Sequence, residues 1–417
     1  MFENGQAIRT LPFMGPSMGK GKGKDKAIMP APAVLEAPED GPLGNDDELQ
    51  FDDSQGEAAV EWEQLPPERE FFASPYDPPV KSLVQEISDK ELIVRPTFQR
   101  YAVWDAVRQS KFVESILLNI PIPTLFFAED DDKTKVVVDG QQRLLALKEY
   151  IENRYPLKGL EVLAALKGKR FDDLTERQQK IIKNRTLRCL VISAKSDSEI
   201  RFQVFERLNQ GGVPLNAQEV RHSVYRGPLN DLLHELVTDV TWLKMLNLKK
   251  PHQRMNDCEL ILRFFALRDA LPTYSPPLKN LLNEFMRTHR HAKDVELLEL
   301  RAAFKAALEP IAASFGVVAF RRFIPAEDNK IRMDRSLNRA VFDVQMLVME
   351  GLDPQWSTAK RGAIVKAYIE TCLKDEDFMD SISRATADKT RMEKRLRKFR
   401  DMLKELGADL PFEDRIP

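Results

Sequence analysis

Between about residue 80 and residue 240 short apolar runs alternate with segments in which apolar residues recur every three to four positions. Thr124 to Ala128, Lys135 to Asp139 and Leu187 to Ser193 each carry a compact apolar stretch bounded by charged or turn residues, which predicts strands. Val107 to Leu118 turns Val107, Phe112 and Ile116 toward a core, and Pro121 and Pro123 close it. Leu144, Leu147 and Ile151 mark a second helix, and Ile200, Val204, Phe205 and Leu208 mark a third that Ser196 or Asp197 can cap. Asn216, with Glu219 three residues later, is a capping-box pattern opening a helix that Gly227 and Pro228 end. Strands interleaved with helices make this stretch a small α+β domain.

Beyond about 240 the pattern changes to helical spacing alone. Cys258 to Ala270, Leu281 to Met286, Val295 to Ala313, Ser336 to Met349, Arg361 to Leu373 and Thr390 to Leu406 are each amphipathic at a period near 3.6. The reading is therefore an α+β domain over 80–240 and an all-helical domain over 241–417. Residues 1–75 differ from both. Ala31 to Pro67 carries eleven acidic residues and no Lys or Arg, preceded by alternating Lys20, Lys22, Lys24 and Lys26. Low hydrophobicity with blocked charge does not repay the entropy of ordering, so a disordered tail is expected. An acidic arm that docks a partner, or competes with nucleic acid for a basic surface, is the alternative.

Composition narrows the class. With 63 Lys and Arg against 65 Asp and Glu, the chain is not a globally basic nucleic-acid binder, although local patches are open to it. No apolar run approaches the ~18 residues of a membrane span, and Met1 to Pro16 has no secretory pattern. Cys189, Cys258 and Cys372 form no C-x-x-C pair and cannot pair off evenly, so they are expected in the core of a protein of the reducing cytoplasm.

The chemistry-bearing candidate is the junction Asp139, Gly140, Gln141, Gln142, Arg143, where a strand passes through a single glycine into a helix. The first amides of a helix have no partner inside it and point at whatever lies beyond the N-terminus, which favours an anion. Arg143 adds a planar fork suited to phosphate oxygens. Asp139 could hold a divalent cation such as Mg²⁺ or a ribose hydroxyl, and the glutamines a base, a sugar or a water. A purely structural reading is also coherent: Asp139 caps the helix, Gln142 closes a capping box and Arg143 bridges on the surface. Two other turns share the composition. One holds Arg95, Gln99 and Arg100 beside Tyr101 and Trp104; the other holds Arg207, Asn209, Glu219 and Arg221 around Gly211 and Gly212. Three such turns in one small domain point to a common polyanionic ligand.

The ordered run Phe98, Gln99, Arg100, Tyr101, Val103, Trp104, then Glu114, Ser115, Ile116, Pro121, Ile122, Pro123, then Asp139 to Arg143, then Phe205, Leu208, Asn209, Pro214, Leu215, Gln218, Glu219 and Arg221, closely resembles the N-terminal domain of GmrSD-type restriction endonucleases. The resemblance spans about 85 to 235. It implies a ParB/sulfiredoxin-like fold, a nucleotide-phosphate site at the Asp139 to Arg143 turn, and a nucleotide-hydrolysing or nucleotide-sensing role in regulating the cleavage of modified phage DNA. A nucleoside triphosphate with Mg²⁺ is the implied cofactor. Cleaving members add a His-Asn-His nuclease domain, which five dispersed histidines do not supply, so a separate nuclease subunit is the expected partner. Lys389 to Lys404 is the densest basic stretch, carrying Met392, Leu396, Phe399 and Leu403 on one stripe. It is either a packed helix with a solvated basic face or a DNA contact. A non-catalytic DNA-binding or recruitment module is the competing functional class, since glutamine suits adenine and arginine suits guanine.

Overall fold

A computed structural model describes residues 70–94, 104–208, 215–326, 330–384 and 386–416. The expected tail up to residue 69, and Gln99, Arg100 and Asn209 among the candidate site residues, lie outside these. The first half contains β1 (Ala73–Tyr76), α1 (Val80–Ser88), β2 (Leu92–Ile93), α2 (Ala106–Leu117), β3 (Leu125–Glu129), β4 (Lys135–Asp139), α3 (Gln141–Ile151), α4 (Glu176–Asn184) and β5 (Cys189–Ile192). The strands form a mixed sheet in the order β1-β5-β3-β4-β2. β3 pairs antiparallel with β4 and parallel with β5, while β1 adds antiparallel to β5 and β2 parallel to β4.

The alternation of side chains along the strands decides which core each residue joins. Leu125 and Phe127 of β3, Val137 of β4 and Cys189 and Val191 of β5 face the core built with α1 to α4. Ala128, Val138 and Ile192 face the opposite way, into a larger core. That larger core contains α5 (Ser198–Leu208), α6 (Ala217–Val224), α7 (Pro228–Leu236), α8 (Val240–Leu246), α9 (Asn256–Ala270), α10 (Leu278–Thr288), α11 (Asp294–Ser314), α12 (Arg339–Val348), α14 (Arg361–Lys374), α15 (Glu376–Ser383) and α16 (Lys389–Glu405). α13 (Pro354–Ala359) contributes half-buried Trp356 at its margin. The expected boundary at 240 therefore does not separate two cores: α5 to α7 already belong with the helices that follow. At the turn between β3 and β4, Asp130 and Asp131 meet Arg290, Asp131 at 3.2 Å, which ties the hairpin to the helical half.

Two expectations need correction. The second half is not wholly helical, because β6 (Phe323–Pro325) pairs antiparallel with β7 (Ile331–Met333), flanked by the Arg322–Asp334 ion pair at 2.8 Å. Three-residue strands leave no alternation long enough to see in a sequence. The sheet also begins inside the stretch assigned to the tail. β1 is mostly exposed and has no apolar pattern; it is a strand because Phe72 accepts from the Ser193 amide at 2.9 Å and its register with β5 follows. Pro75 removes a donor from this edge, which blunts it against further pairing.

The three cysteines are buried and free, as expected. The predicted helices from Cys258 to Leu406 all form, with ends shifted by a few residues. Among the described residues no helix is long and apolar enough to cross a membrane.

Candidate functional site

The Asp139 to Arg143 turn forms where β4 ends in the middle of the sheet. Gly140 sits at φ 98° in the left-handed region, and a Cβ there would come within 1.9 Å of Leu125 Cδ2, so the turn needs glycine for both its torsion and its space. Gly140, at the cap position, has no side chain with which to cap α3. The reading in which Asp139 caps the helix does not hold. Its carboxylate pairs instead with Arg143 Nη2 at 2.6 Å, and the same guanidinium donates to the Pro123 and Thr124 carbonyls that lead into β3. Burial lowers the Arg143 pKa, and Asp139 opposes that shift.

Gln141 is buried, and Gln142 Oε1 accepts from the Trp104 amide at 3.1 Å, which holds Trp104 beside the turn. Gln142 Nε2 is buried without a partner among the described residues. An orphaned amide at the start of a helix is a place where a polar ligand would complete the bonding.

Residues 80–226 match the family model described as GmrSD restriction endonuclease, N-terminal domain. This segment is a GmrSD N-terminal domain. Neither the curated proteins nor the solved structures contain a match to the chain. The GmrSD domain runs from α1 through α6, so it takes in the sheet apart from β1, the Gly140 turn and the first helices of the larger core.

Within the GmrSD domain the candidate residues separate. Asp139, Gly140, Gln141, Gln142 and Arg143 are together at the turn. Arg207 is exposed near the end of α5. Glu219 and Arg221 are buried, and the bonds shown for them join α6 to α9 and α10. Glu219 accepts from the Asn216 amide at 2.8 Å and Arg254 at 3.0 Å; Arg221 donates to Asn283 at 2.8 Å and Glu259 at 3.1 Å. The capping box between Asn216 and Glu219 is present as expected.

In the sequence Glu114 stands out only as part of the ordered motif; its role comes from the fold. Its buried carboxylate accepts the amides of Glu161, Val162 and Leu163 at 3.2, 2.8 and 2.7 Å. Burial pushes this carboxyl up, but the three amides bring it below the usual glutamate range. No local sequence signal marks such a contact, because acceptor and donors are some 47 residues apart.

The metal and DNA candidates fare differently. Among the described residues no group of three or more His, Cys, Asp or Glu is arranged to hold a metal ion. The turn offers a single carboxylate, Asp139, which suits a Mg²⁺ ion brought in on nucleotide phosphates better than an ion held by protein alone. The cations of α16 are largely matched by carboxylates: Arg391 with Asp380 at 2.5 Å, Lys394 with Asp377 at 3.0 Å, Lys398 with Asp375 at 2.6 Å and Lys404 with Glu413 at 2.8 Å. Arg395 is fully buried and pairs with Asp343. The basic run in the sequence is not a free basic face.

Proposed function

We propose that the GmrSD domain binds a nucleotide at the Asp139 to Arg143 turn and acts as the nucleotide-responsive regulator of a restriction or phage-defence system. A ParB/sulfiredoxin-like ancestry of the sheet belongs to the same reading. The observation that carries it is the buried Gln142 Nε2, without a partner among the described residues, at the start of α3 beside Arg143, in a turn built on Gly140. Phosphate oxygens would take the helix amides, and Arg143 would shift part of its guanidinium from Asp139 to that charge. Asp139, so released, would be the one protein carboxylate able to reach Mg²⁺. Hydrolysis would further require a water positioned in line with the leaving oxygen. In the same reading, cleavage of DNA is assigned to a separate nuclease subunit.

Calorimetric titration of the purified chain with ATP, GTP, CTP and UTP, with and without Mg²⁺, tests the reading. Binding of at least one nucleotide is expected, weakened about tenfold or more in Arg143→Ala, the scale of losing one charge-assisted phosphate contact. Unchanged affinity in that variant would remove the turn from the site, and no binding of any nucleotide would end the proposal.

A further inference from the structure

The stretch from Arg154 to Arg188, which joins α3 to β5 through α4, contains ten lysines and arginines against four carboxylates. Three of the four are engaged: Glu161 pairs with Lys111, Glu176 pairs with Lys180, and Asp173 accepts the Arg170 amide. Lys158, Lys167, Lys169, Arg170, Arg177 and Lys183 form no ion pair among the described residues, although Arg170 donates to the Asn153 carbonyl at 2.8 Å, and all but half-buried Lys183 are exposed. This reverses the situation on α16.

Four of these cations are brought together by the backbone. Leu157 donates to the Lys169 carbonyl at 3.0 Å and Gly168 donates to the Leu157 carbonyl at 2.8 Å, which brings the turn carrying Lys167, Lys169 and Arg170 against Lys158. Phe171 follows directly, and Lys183 of α4 lies over its ring at 5.1 Å, which places Lys183 beside that turn. The loop in between is fixed from below. Ser110 Oγ accepts the Lys158 amide at 2.9 Å, and the buried Glu114 carboxylate holds the three amides from 161 to 163. The cations therefore project from a preorganised frame.

We infer that this surface is a docking face for double-stranded nucleic acid and that it grips the phosphate backbone. Unpaired lysines and arginines on a fixed frame match a regular array of phosphates, and each contact releases condensed counterions. The large apolar residues exposed along it, Val162 and Ile181, are aliphatic, and Phe171 is buried. Single-strand binders need exposed aromatic rings on which bases stack, so a duplex is the occupant. Contact of this kind positions the duplex without reading its sequence. The inference stands apart from the nucleotide site, since it uses none of the residues of the Gly140 turn.

Fluorescence anisotropy with a labelled DNA duplex of about 25 base pairs, read across a salt series, provides the test. The wild-type chain should bind with a log-log salt slope of several units, and Lys167→Glu/Lys169→Glu/Arg170→Glu should weaken binding at least tenfold and flatten the slope by roughly three. Arg177→Glu/Lys183→Glu on α4 gives an independent arm with a smaller loss, while Arg397→Glu on α16 should change little. Far-ultraviolet circular dichroism and a thermal melt confirm that each variant is folded. Absence of duplex binding by the wild-type chain, equal affinity in the folded triple variant, a loss in Arg397→Glu as large as in the triple variant, or tighter binding of the single strand would each overturn the inference.

Discussion

Two aspartate–arginine pairs occupy the two halves of the molecule. Asp139 and Arg143 are four residues apart, meet at 2.6 Å and leave 30% and 13% of their side chains exposed. Asp343 on α12 is fully buried and takes Arg263 of α9 in a two-point contact at 3.1 and 2.7 Å, with Arg395 of α16 at 3.4 Å. The first pair closes a local turn; the second ties together three helices distant in sequence. Arg395 also donates to the Ser381 and Thr386 carbonyls, and burial brings its pKa down to about 10 despite Asp343. A pair that stays partly open to solvent can exchange one partner for an incoming phosphate. A pair sealed in a core cannot, because the charge left behind has no water to turn to.

That contrast is sharpest for removal of the buried acid. Asp343→Ala leaves two buried guanidiniums without their carboxylate and should cost about 3–5 kcal/mol of stability, measured by urea denaturation. A loss under about 1 kcal/mol would mean that water reaches the triad and that the two pairs do not differ in kind.

A buried acid with no ion pair among the described residues sharpens the comparison from the other side. Asp257 is fully buried and accepts the amides of His252 and Cys258, at 2.7 and 2.9 Å, yet burial pushes its pKa up to about 6. With the folded value above the unfolded one, its contribution to stability is complete below about pH 4 and is lost as the pH rises through 6. The stability of the wild type relative to Asp257→Asn should fall by roughly 1–3 kcal/mol between pH 4 and pH 7. A difference independent of pH would show that the two amides, or a neighbouring charge, hold the carboxylate ionised in the fold.

The smallest effect is expected at the surface. Lys398 pairs with Asp375 with side chains 39% and 26% exposed, so Lys398→Ala should change stability by no more than about 0.5–1 kcal/mol. A larger loss in thermal melts would place this pair with the buried ones.

Where a signal is local, the sequence carried it. The valine run from 136 to 138, the single glycine before a helix and the Asn216–Glu219 box all became what their spacing predicts, since strand alternation, left-handed turns and helix capping are decided within a few residues. The periodic helices from α9 to α16 were legible for the same reason, and the ordered motifs led to the GmrSD domain that the family model matches over 80–226. β1 and β6–β7 were not legible, because their strand character comes from a partner across the chain.

Charge was the quantity the sequence could count but not place. Along Lys389 to Lys404 it shows a dense basic run, and only packing brings Asp375, Asp377 and Asp380 against it and buries Arg395. Along Arg154 to Arg188 the cations are more dispersed, and only the fold draws them onto one frame fixed by Glu114. The sequence by itself determined the local elements, the glycine turn and the family. The tertiary structure alone decided that the sheet is covered on both faces and which charges remain free, since both depend on distant residues meeting, and a pairing between remote segments leaves no periodic trace in either one.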